Sequence, residues 1–161
     1  MNPTIGLFGT CGGSKWRDPF MAAYTDRDIN YYNPQVENWK PEDAVEEAEH
    51  LANDSIILFP VTSETYALGS LTEVGFSLLN AIKLDDRRDF VVMIENKLDD
   101  SLTDENLRKE SLRARALAIQ HLKKMKLSNL FLVPDLEKML EVSITLYQAQ
   151  KLVEPFKNYT L

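Results

Sequence analysis

Short apolar runs alternate with longer, helix-patterned ones along this chain, and the alternation leaves few folds open. TIGLF (4 to 8), INYYN (29 to 33), SIILFPV (55 to 61), FVVMIE (90 to 95) and NLFLVP (129 to 134) read as strands. Between and after them, WRDPFMAAYTD, PEDAVEEAEHLAND, SLTEVGFSLLNAIK, TDENLRKESLRARALAIQHLKKMK and EKMLEVSITLYQAQKLVEPF read as helices. Several strands are continuous apolar runs, which need cover on both faces, so the sheet is parallel and sandwiched. Right-handed crossovers then give an α/β fold: a single-domain, doubly wound, five-stranded parallel sheet with helices on both faces, flavodoxin- or Rossmann-like. The 161 residues suit one domain over positions 1 to 161, and 44% apolar content suffices for its core.

The net charge of -7 repels polyanions, which argues against a nucleic-acid polymer or an anionic membrane as partner. Cys11 is the one cysteine, so no intrachain disulfide forms, and a reducing, cytoplasmic setting is expected. No apolar run reaches the roughly 20 residues of a membrane span, and MNPTIGLFG lacks the pattern of a signal peptide. His50 and His121 stand apart from other metal-ligating residues, so neither a metal nor another cofactor is expected. ENKLDDSLTDEN (95 to 106) reads as a mobile polar loop, and RKESLRAR, in the helix after it, as a solvated face.

Ligands of such sheets bind beyond the carboxyl ends of the strands, where the strand order reverses. The loop after the first strand, GTCGGSKWRD (9 to 18), is neither a Walker loop nor a dinucleotide fingerprint. Its glycines let backbone N–H groups approach a ligand, although a tight turn explains them equally well. Trp16 and Arg17 add an aromatic face and a guanidinium. The loop after the second strand, NPQVENWKP (33 to 41), carries Asn33, Gln35 and Trp39. After the third strand, PVTSETYALGSLTE brings Ser70 and Glu73 to the same edge. Ser70 and Glu73 have the capping-box spacing, so Glu73 has a structural reading beside a chemical one. Gly9, Thr10, Trp16, Arg17, Asn33, Gln35 and Ser70 are thus candidate ligand contacts around Glu73, with Trp16 as the base-stacking residue and Lys15 or Arg17 available to an anion.

FGTCGGSKWRD, YYNPQVENW, SIILFPVTSET and GSLTEVGFSL together resemble the nucleoside 2-deoxyribosyltransferases, in particular their short, divergent branch, over roughly residues 4 to 82. The family's glycine-x-x-x-glutamate-x-glycine pattern falls on Gly69, Glu73 and Gly75, which implies that Glu73 is the nucleophile, with Gly75 and Ser77 keeping space clear beside it. A second, proton-handling carboxylate precedes the third strand in that family; Glu46 takes the position here, with Glu47 as the alternative. Acidic residues in a helix's first turn also suit its dipole, so the structural reading stays open. The resemblance further implies a homo-oligomer in which Asn158 and Tyr159, from the C-terminal EPFKNYTL, complete a neighbouring subunit's site.

The activity implied is exchange of the base of a 2'-deoxyribonucleoside for a free base, both small-molecule partners. The glutamate attacks the anomeric carbon and expels the base; an incoming base then attacks the glycosyl ester, and two inversions give retention. An N-glycoside hydrolase of 2'-deoxynucleosides or their 5'-monophosphates needs the same groups, with water as acceptor. A non-catalytic nucleotide-binding protein is the third reading, because fold does not fix function.

Overall fold

A computed structural model describes residues 3–38, 40–73 and 88–159. In chain order the elements are β1 (Ile5–Leu7), α1 (Arg17–Thr25), β2 (Tyr31–Tyr32), α2 (Asp43–Asn53), β3 (Ile56–Val61), α3 (Leu68–Glu73), β4 (Asp89–Ile94), α4 (Glu105–Met125), β5 (Leu130–Leu132) and α5 (Leu136–Val153), followed by a 3-10 segment, Glu154–Tyr159. The strands form one five-stranded sheet in the order β2-β1-β3-β4-β5. All four pairings are parallel, and β3 and β4 run in register from Ile56 opposite Asp89 to Val61 opposite Ile94. This is the doubly wound α/β fold expected from the alternation. Among the described residues no helix is long and apolar enough to cross a membrane.

Two-residue alternation sorts the strand side chains between the faces of the sheet. Ile56 and Leu58 of β3 join Ile5, Leu7, Val91 and Met93 on the face covered by Phe20 and Tyr24 of α1 and Met139 and Tyr147 of α5. Ile57, Phe59 and Val61 join Phe90, Val92 and Ile94 on the other face, against Leu122 of α4, with Leu51 of α2 and Leu71 of α3 packed alongside. Both faces of β3 are therefore buried, which is why it reads as an unbroken apolar run. The chain leaves β1 toward α1 on one face and β3 toward α3 on the other, so a crevice opens between their carboxyl ends.

The charged stretch before and within α4 is solvated in part: Lys109, Glu110 and Arg113 are exposed, whereas other members are tied to the sheet. Asp104 caps the helix by accepting the Leu107 N–H at 3.0 Å, and Arg108 donates to the carbonyls of Asp99 and Leu102. The Asp99 N–H bonds Ser63 O at 2.9 Å, and Leu98 is buried. These bonds pin the loop to the end of β3. Within RKESLRAR, Ser111 and Arg115 are buried rather than solvated. Arg115 donates to the carbonyls of Val61, Thr62, Thr65 and Glu95 and, through Nε, to Ser111 Oγ. It ties the carboxyl ends of β3 and β4 together.

Candidate functional site

The crevice between β1 and β3 holds a cavity of about 120 Å³ lined by Phe8, Gly9, Cys11, Arg17, Pro34, Glu47, Gly69 and Ser70. Its floor depends on a close approach of two backbones. Gly9 has φ +94°, and a Cβ there would lie 2.5 Å from Pro60 O, so glycine is required for both conformation and space. The following Thr10 N–H bonds that same carbonyl at 2.9 Å.

Thr10 is a strut rather than a ligand contact. Its hydroxyl donates to Pro60 O at 3.1 Å and accepts from the Thr62 N–H at 3.0 Å, and the side chain is buried. Trp16 likewise departs from the base-stacking expectation. It is 3% exposed, its indole N–H donates to Thr10 O at 3.0 Å, its ring meets the Phe20 edge at a centroid distance of 5.2 Å, and the Arg17 guanidinium lies 4.6 Å from its centroid. The tryptophan packs in the core beneath α1, where its apolar area is removed from water.

Arg17 does reach the cavity, although it is 1% exposed. Nε donates to Leu7 O at 2.8 Å and one terminal nitrogen to Thr10 O at 2.8 Å. The other terminal nitrogen approaches Cys11 Sγ at 3.6 Å. A guanidinium carries five N–H donors, so two bonds to oxygen and one contact with sulfur leave donor capacity unused. Burial lowers the Arg17 pKa from its ordinary value, and Cys11 and Glu47 oppose that effect.

Glu47, the alternative to Glu46, lines the same cavity. Glu46 is exposed and does not line the cavity, because adjacent helical positions point about 100° apart. Glu47 shares its face with Leu51, one turn on, which packs against the sheet. Burial raises the Glu47 carboxyl above its usual range, and the Arg17 guanidinium pulls in the opposite direction. Among the described residues no hydrogen bond or ion pair joins Glu47 to Arg17. A donor and an acid therefore line one cavity without a direct bond between them.

Gly69 and Ser70 supply the remaining wall from α3, and a Cβ at Gly69 would meet nothing within 4 Å. The capping-box expectation fails here: the helix begins at Leu68, so Ser70 is inside its first turn. The chain turns into the helix at Ala67, with φ +53°, where the Thr65 hydroxyl accepts the Ala67 N–H at 3.1 Å. Glu73 closes the described part of α3, four residues after Gly69 and three after Ser70. The Glu73 side chain, Trp39, Gly75 and Ser77 lie outside the described residues.

The second-strand loop serves a different surface. Asn33 and Gln35 line a wider groove of about 400 Å³ with Gly12, Gly13, Lys15 and Asp18. Asn33 Oδ1 accepts the Gln35 N–H at 3.0 Å, an Asx turn, and Gln35 reaches Gly12 O at 3.5 Å. These amides brace one loop against another instead of entering the crevice. Pro34, between them, Cys11 and Phe8 are the cavity residues that the sequence reading passed over.

The 3-10 segment with Asn158 and Tyr159 follows α5, whose Gln150 donates to Ser55 O at 3.2 Å and to Asp89 Oδ2 at 2.6 Å. Those residues mark the amino ends of β3 and β4, the edge of the sheet opposite the cavity. The side chains of Asn158 and Tyr159 lie outside the described residues. Compared with known proteins, the chain matches no family model and no curated sequence.

Proposed function

We propose that the crevice between β1 and β3 transfers a 2-deoxyribosyl group between bases, with Glu73 as nucleophile and Glu47 as the acid that protonates the departing base. The observation that supports this reading is the cavity itself, lined by Glu47, Arg17, Gly69 and Ser70, the last two standing one helical turn before Glu73. In the first step the Glu73 carboxylate forms an ester bond to the anomeric carbon. The carbon–nitrogen bond breaks, its electron pair passes to the base, and Glu47 delivers a proton there. In the second step an incoming base loses a proton to Glu47 and displaces the ester, which restores the starting configuration. The raised pKa of Glu47 suits an acid that must hold its proton until the bond breaks. In this reading Asn158 and Tyr159 reach the site only from a second copy of the chain.

Deoxyinosine incubated with the protein, with and without guanine, tests the proposal. Formation of deoxyguanosine supports transfer. Hypoxanthine released at the same rate without guanine, and no deoxyguanosine with it, replaces transfer by hydrolysis; an unchanged mixture removes both.

A further inference from the structure

The cavity's size and its two polar walls bear on which base it takes. At about 120 Å³ it is well below the ~300–1,000 Å³ of complete small-molecule sites, so it receives one small planar group while the rest of a ligand stays outside. A guanidinium offers N–H donors there, and a carboxyl whose pKa burial raises offers one O–H donor in its protonated form. Among the described residues neither side chain bonds the other, so both are available to a guest that presents two adjacent acceptors.

Purines differ in just this respect. A 6-oxopurine carries O6 and N7 side by side, both acceptors, whereas adenine places an N–H₂ donor beside N7. We infer that Arg17 and Glu47 together read the O6 and N7 edge of a 6-oxopurine, so that hypoxanthine or guanine is the base exchanged and adenine is rejected. Arg17 donates to O6, and Glu47 donates to N7. As the C1'–N9 bond breaks, its electron pair enters the ring, the Glu47 proton passes to N7, and the base leaves as a neutral tautomer. Adenine in the same pose sets its amino group against the guanidinium, two donors without an acceptor, and that mismatch costs far more than a missing contact. The inference rests on the transfer reading in one respect, that a base enters this cavity.

Cys11 gives a readout that needs no turnover. It is the one cysteine of the chain, it is exposed, and it lines the cavity beside Arg17, so its alkylation by iodoacetamide reports occupancy. Hypoxanthine should slow alkylation at a concentration at least about tenfold below that needed of adenine. Arg17→Gln should close that gap. Because Arg17 is also a strut, 7-deazahypoxanthine, which lacks the N7 acceptor, makes the same test on the unaltered protein and should protect at least about tenfold less well than hypoxanthine. Equal protection by adenine, undiminished protection by 7-deazahypoxanthine, or protection by no base at all overturns the inference. If base exchange persists in any of those cases, the transfer reading survives alone; if hypoxanthine protects and nothing is exchanged or hydrolysed, the base-recognition inference survives alone.

Discussion

Two buried arginines stand at the carboxyl edge of the same sheet, and they are used differently. Arg115 makes five hydrogen bonds, four to main-chain carbonyls and one to Ser111 Oγ, which matches the five N–H groups it has. Arg17 makes two bonds to oxygen, to Leu7 and Thr10, and one long contact with Cys11 sulfur. Both guanidiniums are desolvated, which lowers the pKa of each. The saturated one is a strut for β3 and β4. The other is half strut and half cavity wall, and it shares the cavity with an acid for which no hydrogen bond is found among the described residues. Burial alone does not separate a structural arginine from a functional one; the count of unmet donors does.

Substituting each arginine is the most forceful way to break this contrast. Arg115→Met removes a donor from four main-chain carbonyls, of which Val61 O keeps the Glu95 N–H, and should cost about 3–5 kcal/mol in urea unfolding. Arg17→Met removes one from two, of which Thr10 O keeps the Trp16 indole N–H, and should cost about 1–3 kcal/mol while abolishing ligand protection of Cys11. Equal stability losses, or a folded Arg17→Met protein that binds as before, would erase the distinction.

A smaller effect isolates the cavity from the framework. Gly69 occupies helical backbone, and its missing Cβ leaves open space, so Gly69→Ala should stabilise the protein by up to about 1 kcal/mol. The same methyl group enters the cavity and should weaken ligand binding. A variant that gains stability and keeps its affinity would remove α3 from the site.

The mildest test is the pH dependence of Glu47. Its folded pKa is raised, so the proton is held more tightly in the folded chain. The corresponding stability is fully present below the ordinary carboxylate range and is lost as pH rises through the raised folded value. Glu47→Gln does not titrate, so its Tm should match the parent's in acid and exceed it at neutral pH. A difference that is constant with pH would place Glu47 in ordinary solvent.

The framework was legible because its signal is apolar continuity. The runs at 55 to 61 and 90 to 95 are buried on both faces, and no other element of a small domain tolerates that. Arg115 was legible in principle: Ser111, Arg115, Ala118 and Leu122 recur at helical spacing, and Leu122 at the far end is buried, so the row faces the sheet. Adjacent pairs gave less. Glu46 and Glu47 differ by one helical step, and side-chain type does not say which turns inward; Trp16 and Arg17 are both buried, and side-chain type does not say which of them reaches the cavity. The start of α3 was hidden for another reason. Ser70 and Glu73 have capping spacing, yet a left-handed Ala67 held by Thr65 starts the helix at Leu68.

The central claim is that Glu73 becomes covalently attached to the sugar. A 2'-deoxy-2'-fluoro nucleoside of hypoxanthine slows both steps by withdrawing electrons from the anomeric carbon, and loss of the ester more than its formation when no acceptor base is present. Intact-mass and peptide mass spectrometry after such incubation should show one fluorinated sugar per chain, located on Glu73, and none in Glu73→Ala. An adduct on another residue, or an unmodified protein that nonetheless exchanges bases on deoxyinosine, would contradict the account.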